Sequence, residues 1–462
     1  MALDLARWQF AIVTVFHFFF VPMTIGVGLL VAVMQTQAYR SKDVTWDRLS
    51  RFFGRIFLIS MAVGIVTGIV LEFEFGLNWS AYSIFVGNIF GAPLAIEGLF
   101  AFFLESTFVG LWIFGRNRLS PGLHLATIWL TSAGTIISAF WILAANAWMQ
   151  NPVGYKILNG QAVLTNFWAV LGNSTLWASF VHTVMGALAT GAAQVLGISI
   201  WRGHRSAHDQ AQREAFRRAA RLAAGLMLVT VVLVAISGDL QTRLMDAQQP
   251  MKMAAAEAIY NTQNGASFSL LTIGNLSGSP IFQIRVPHLL SLMVDLSWNG
   301  QVQGINQLQA AAAAKYGAGN YTPIIWLTYW SFRAMVGAGI LMIVVSAWGL
   351  WLGRGRRFLE SRWFLRAALA GIGLPVLANA SGWIFTEAGR QPWIVYGLMQ
   401  TANGVSPVSA ADIAFTLVVF VAVYTTLAVV AVTLILRAAR HDFDDVQEDA
   451  APDAVASPGL VY

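Results

Sequence analysis

The chain of 462 residues contains no cysteine. A disulfide within the chain, a zinc–thiolate centre and a cysteine-ligated iron–sulfur cluster are therefore all excluded. Charge is nearly as scarce: Asp, Glu, Lys and Arg make up 11% of the residues, where a soluble domain carries about 25%. With 57% hydrophobic residues and a mean hydropathy of +0.63, the composition is that of an integral membrane protein. No internal repeat is evident. The opening apolar run, Trp8 to Met34, is too long for the core of a secretory signal and lacks a small-residue cleavage site after it.

What remains is a series of long apolar runs. A span needs about 20 predominantly apolar residues. Nine runs meet that, at roughly 8–35, 53–75, 92–115, 124–148, 168–200, 220–238, 324–352, 364–388 and 412–436. The expected class is thus an all-α membrane protein of about nine helices. Basic residues alternate between connections. Positions 36–55, 201–221 and 353–366 are rich in arginine (the last with Arg354, Arg356, Arg357, Arg362 and Arg366), and 116–123 holds Arg116 and Arg118. The stretch 76–91 has neither Lys nor Arg, 149–167 has only Lys156, and 389–411 has only Arg390. The net charge of +6 therefore reads as topology, with basic loops and C-terminus cytoplasmic and the N-terminus outside, rather than as nucleic-acid affinity. The expected organisation is six helices over 1–238, an extramembrane loop over 239–323, three helices over 324–440 and a disordered tail over 441–462. The 85-residue loop has helix-forming stretches around Lys252 and Glu257 and near Gln309 to Lys315, so an ordered lid is expected.

Charges inside the spans need a reason, because an acid at mid-bilayer costs about 2.5–3.5 kcal/mol even on the lenient scale. Glu97 and Glu105 share the third span. On a regular helix they stand about 12 Å apart along the axis and about 80° around it. That is too far for an acid/base dyad, but it suits a proton path bridged by water. His17 and His182 are the two histidines well inside spans, and neutral imidazole is a common haem ligand. His182 and Met335 lie at similar depth on two helices, roughly 21 Å and 16 Å from one face. Such a pair can ligate one low-spin haem. Arg333 is a further intramembrane charge, for which a haem propionate is a candidate partner. Glu387 closes the eighth span within GWIFTEAGRQPW, where Arg390 can clamp a carboxylate. Glu72 and Glu74 read equally as loop charges, and His124 receives no role.

These residues sit in stretches that closely resemble subunit I of the cytochrome bd quinol oxidases. The stretches are RWQFAIVTVFHFFFVPMTIG (7–26), LEFEFGLNWS (71–80), GNIFGAPLAIEGLFAFFLESTFVGLW (87–112), WILAANAWMQNPVG (141–154), FVHTV (180–184), FRAMV (332–336) and GRQPW (389–393). The resemblance runs from the start of the chain to about residue 437. It implies a nine-helix subunit with a low-spin haem b, a high-spin haem b and a chlorin-type haem d, oxidising ubiquinol or menaquinol outside and reducing dioxygen to water with cytoplasmic protons, without pumping.

By resemblance, His182 and Met335 ligate the low-spin haem, and His17 and Glu387 are axial ligands of the other two. Glu97 is the acid beside the oxygen-binding iron, and Glu105 delivers protons. Arg390 lies near the haems, Ser138 and Asn146 match polar-conduction positions, and Lys252 and Glu257 meet the quinol. A long insertion that some members carry late in the loop is absent here. The expected setting is the bacterial cytoplasmic membrane, with a second subunit and optionally a small single-helix one. The residues also admit a b-haem-only form of the same family, a di-haem membrane cytochrome b, or a haem-free proton-coupled transporter using Glu97 and Glu105.

Overall fold

The computed structural model describes the whole chain except residues 207, 278–279, 356–357, 442 and 444–462. Arg356, Arg357 and nearly all of the expected disordered tail lie outside the described residues. Among those described, nine helices are long and apolar enough to cross a membrane: Ala2–Ser41, Val44–Leu77, Ser80–Phe114, Pro121–Gln150, Ser174–Arg205, Gln210–Gln248, Ile325–Gly353, Arg362–Ala388 and Ala410–Arg440. They are called the first to ninth helices below.

The nine spans agree with the sequence, and several ends do not. Hydropathy marks only the apolar middle of a helix, whereas capping residues set its limits. Asp43, Asn173 and Asp209 each accept a hydrogen bond from a backbone N–H two or three residues on, opening the second, fifth and sixth helices. The third helix begins at Ser80, so most of the stretch read as a connection is helical, and Glu97 lies at its middle rather than near an end. The second helix runs to Leu77, which makes Glu72 and Glu74 helical. The connection after the fourth helix carries a hairpin, Tyr155–Leu158 against Gln161–Leu164.

Two helices are irregular, each near a proline. Pro lacks an N–H and its ring clashes with the carbonyl four residues before it. In the eighth helix Pro375 opposes Gly371, and the helix parts there into Arg362–Gly371 and Gly373–Ala388. In the third, Pro93 precedes a π-helical turn over Glu97–Phe102.

The bundle packs around the fifth helix, whose apolar window is 78% buried, against 11% for the third and ninth. Its core face is small: Ala187, Ala189, Ala192 and Ala193 are all buried, opposite Ala219, Ala220, Ala223 and Ala224 of the sixth. Small residues let helix backbones approach closely where the lipid offers no hydrophobic drive for association. The closest approach is Gly26 of the first helix on Gly191 of the fifth. A Cβ at Gly191 would stand 2.1 Å from the Gly26 carbonyl carbon, and one at Gly26 would stand 2.2 Å from the Ala187 oxygen. Toward the end bearing the arginine-rich connections, large aromatics (Phe52, Phe53, Phe57, Phe216) fill the widening space.

At that end His124 closes a ring. Trp112 Nε1 donates to Gln35 Oε1 at 2.9 Å, which orients the Gln35 amide to donate to His124 Nδ1 at 2.8 Å. Nε2–H of His124 then donates to the Trp112 carbonyl at 2.9 Å. The ring fastens the first, third and fourth helices, which is the role that the sequence left unassigned.

The long connection sits at the opposite, loop end of the bundle. The sixth helix extends ten residues past its apolar run, to Gln248, and the chain turns into a buried helix, Pro250–Glu257. A hairpin (Phe268–Gly274 with Pro280–Val286) and helices Leu289–Asp295 and Ile305–Tyr316 follow. Met253, Ile259, Ala266, Leu290, Val294 and Val302 form the segment's own apolar cluster. The segment is thus folded, with an apolar core of its own.

The glycine contact yields a stability test. Gly191→Ala must push two backbones apart and is expected to cost about 3 kcal/mol, at the upper end of overpacking. Gly225→Ala, whose Cβ meets open space, is expected to leave stability unchanged. Unfolding of detergent-solubilised protein by titrated sodium dodecyl sulfate measures both; equal midpoints for the two variants would contradict the contact.

Candidate functional site

Two half-buried histidines share one local arrangement. Nδ1 of His17 lies 2.9 Å from Thr67 Oγ1, and Nδ1 of His182 lies 3.1 Å from Ser237 Oγ. Each hydroxyl spends its own hydrogen on a backbone carbonyl, Thr67 on Val63 at 2.8 Å and Ser237 on Leu233 at 2.8 Å. The hydroxyl can then only accept from the ring. Nδ1 carries the proton and Nε2 keeps a free lone pair, which is the state a metal-ligating imidazole needs.

Glycines make room beside each ligand candidate. A Cβ at Gly68 would stand 3.1 Å from His17 Cε1, one at Gly238 3.4 Å from His182 Cε1, and one at Gly382 3.0 Å from Met335 Sδ. Free imidazole nitrogens at glycine-lined positions fit a flat macrocycle.

Glu387 heads a second cluster. It pairs with Arg390, and Oε1 accepts from Asn146 Nδ2 at 3.1 Å and Gln150 Nε2 at 3.4 Å. Arg390 is 3% exposed, yet among the described residues its Nε and Nη1 have no hydrogen-bond partner. A buried guanidinium with free N–H groups is a ready site for a carboxylate such as a propionate. Lys252 reaches the same cluster from the loop, Nζ donating to Gln150 Oε1 at 2.8 Å. Burial pushes the Lys252 ammonium down to about 7, with Arg390 adding to the fall and Glu387 opposing it.

Glu257, five residues on, turns elsewhere. It is fully buried and meets Arg333 Nη2 at 2.9 Å and the Ser269 N–H at 2.8 Å. Burial pushes its carboxyl up, and Arg333 opposes most strongly. Arg333 therefore has a protein carboxylate as partner. It also donates to the Ala256 and Ser269 carbonyls and lies 3.9 Å over the Tyr329 ring. The two loop residues thus divide, Lys252 to the Glu387 cluster and Glu257 to the helix that bears Met335.

Glu97 and Glu105 face the fourth helix. Ser138 Oγ donates to Glu97 Oε1 at 2.6 Å, and Gly134 lies against Glu105, where a Cβ would stand 3.0 Å from the Glu105 Cβ. Residues four apart share a helix face, so both acids point the same way. The 80° separation expected on a regular helix is thereby corrected. A π-helical turn holds one extra residue, setting the register back by about 100° and leaving a residual of about 20°. Sequence reasoning also missed Gln150 and Glu74. Glu74 is fully buried and accepts from Gln9 Nε2 at 2.7 Å, while Gln9 Oε1 accepts from Thr416 at 3.0 Å. The signal for Gln150 is a second amide, one helical turn after Asn146, closing the mostly apolar WILAANAWMQ run.

Beside Lys252 and Arg390 a cleft of ≈ 180 Å³ opens at the loop end, with Tyr316, Lys315, Trp393 and Tyr396 in its walls. A cavity of roughly 150 Å³ holds one six-membered ring.

Nine membrane-length helices among the described residues, with two imidazoles lodged between them, define a polytopic membrane protein. Residues 5–443 match the cytochrome bd terminal oxidase subunit I family, and the chain belongs to it. It is 45% identical to the cytochrome bd ubiquinol oxidase subunit 1 of Bacillus subtilis, over 95% of each chain. It is 33% identical to the cytochrome bd-II ubiquinol oxidase subunit 1 of Escherichia coli, over 95% of this chain and 96% of that one. The bd oxidase structure from Geobacillus thermodenitrificans superposes with a TM-score of 0.86 at 26% identity, over 95% of this chain and 98% of that one. The haem-free transporter and the di-haem cytochrome b are set aside by this membership.

Lys252 gives a pH dependence. Its folded pKa lies below the unfolded 10.5, so between about 7 and 10.5 the unfolded segment binds more protons and stability rises with pH. Protection of the loop from protease is expected to increase across that window, and Lys252→Met is expected to abolish the slope. A slope that survives the substitution would assign it to another group.

Proposed function

We propose that the loop end faces outward and oxidises quinol, and that electrons pass through the bundle to a dioxygen-reducing haem whose protons come from the arginine-rich side. Membership in the family makes the chain a bacterial multi-pass membrane subunit of a quinol oxidase, carrying haem and working with a second subunit. The orientation rests on the basic connections. The observation that carries the reading is the pair of imidazoles with Nδ1–H held and Nε2 free. On this reading His182 with Met335 would hold the low-spin haem b, and His17 and Glu387 would hold the high-spin haem b and the chlorin haem d. When bound, these irons supply one-electron carriage and the dioxygen site.

The chain's own residues supply the rest. Arg390 offers its free N–H groups to a propionate. Glu97, bonded to Ser138, stands beside the oxygen-binding position, and Glu105 passes protons to it along the face of the fourth helix. The cleft beside Lys252 admits one ring the size of a quinol head group, and Lys252 and Glu257 carry the loop's charges inward. Quinol leaves its protons on the loop side, and water formation takes its protons from the other. Charge is separated without a pump.

Replacing Met335 or His182 with Ala is expected to remove one haem in three and more than nine-tenths of quinol oxidation. A pyridine haemochrome assay against protein concentration reads the first. Full haem content with normal turnover in Met335→Ala would overturn the ligand assignment.

Glu105→Gln keeps shape and hydrogen bonding but releases no proton. Haem content is expected to stay near normal, while steady-state turnover falls at least tenfold and proton uptake from the arginine-rich side is lost. Proteoliposomes with a trapped pH dye measure this. Wild-type turnover with normal uptake would move the relay elsewhere.

A further inference from the structure

The last residue of the fourth helix, Gln150, is 4% exposed and uses its amide in two directions at once. Toward the loop, Oε1 accepts from Lys252 Nζ at 2.8 Å and from Gln249 Nε2 at 2.8 Å, and Gln249 Nε2 also meets the Gln150 carbonyl at 2.7 Å. Toward the bundle, Nε2 donates to Glu387 Oε1 at 3.4 Å. One planar amide therefore joins the first residues of the loop to the carboxylate of the GRQPW turn. Because the amide is rigid, its oxygen cannot be pulled toward the loop without carrying the nitrogen from Glu387.

We propose that Gln150 is a positioning residue that couples the quinol loop to Glu387. The proposal rests on the reading of Glu387 as a haem ligand and of the loop as the quinol site. A ring entering the ≈ 180 Å³ cleft meets Lys252 and Arg390, the two cations on either side of the Gln150–Glu387 link. Drawing Lys252 Nζ toward the ring takes one of the two loop-side donors from Gln150 Oε1 and leaves the other, Gln249 Nε2, to turn the amide toward the loop. Glu387 then loses one of its two amide donors and keeps Asn146 and Arg390. A carboxylate with fewer donors is a more basic ligand, and outer-shell hydrogen bonds of this kind tune a bound metal. Occupancy of the loop is thus transmitted to the electronic state of the Glu387 haem through two hydrogen bonds, without movement of a helix.

The test uses the intact oxidase with Gln150→Leu, which keeps volume and removes all three hydrogen bonds of the amide. Gln249→Ala, which removes loop-side bonds and touches nothing at Glu387, serves as a second variant should the first fail to assemble. In wild type, adding a non-oxidisable quinone analogue is expected to change the reduced-to-oxidised ratio of the Glu387 haem at fixed ambient potential, read in its absorption band. In Gln150→Leu that response is expected to vanish. The ratio without analogue is expected to shift about tenfold, and the quinol KM to rise at least threefold. Gln249→Ala is expected to weaken the response by half or more.

An unchanged response in either variant overturns the coupling. A higher rate of loop proteolysis with an unchanged haem ratio also overturns it, since that is what a merely structural contact would give. Glu387→Gln, measured alongside, separates this from the underlying reading: full haem content there overturns the ligand assignment itself.

Discussion

A polar group carried into an apolar bundle must find its partner on another helix, because neither lipid nor water is there to supply one. Most of this structure follows from that constraint. Glu97 meets Ser138, Glu74 meets Gln9, Glu257 meets Arg333, and Asn379 Nδ2 meets Thr190 at 3.0 Å. Each pair crosses between elements distant in sequence, so each fixes a rotation that apolar packing alone leaves free. The alanine-rich faces of the fifth and sixth helices bring backbones close, and the polar pairs decide which way each helix is turned.

The same rule explains where the ligand candidates stand. His17 and His182 each have one nitrogen satisfied by a hydroxyl that is itself satisfied by its own helix. Among the described residues no donor reaches the second nitrogen, and Gly68 and Gly238 leave room beside the rings. Arg390 shows the complementary state, a buried cation with N–H groups unspent.

Much of this is legible in the sequence. Nine spans, the two intramembrane histidines, the paired acids and the folded loop all follow from apolar length, charge placement and motif. What the sequence hides has physical causes. Hydropathy does not see caps, so it marks the start of the third helix late and leaves Glu74 readable as a loop charge. Regular helical geometry does not foresee a π turn, so it overstates the angle between Glu97 and Glu105. A propionate stands as a candidate partner for Arg333 because its protein carboxylate, Glu257, lies 76 residues away in sequence, and an amide at a helix end such as Gln150 is ordinary until its partners are known.

The π turn has one more consequence. It holds an extra residue within a turn, so the third helix carries a frame as well as a composition. Everything after Phe102 is aimed by that added residue. Losing any single residue between Glu97 and Phe102 would restore a regular helix and swing Glu105 and Trp112 by about 100°, the one away from Gly134 and the other out of its ring with Gln35 and His124. A substitution in this stretch alters one side chain. A deletion re-aims the whole half of the helix that follows it, so length here is constrained more tightly than identity.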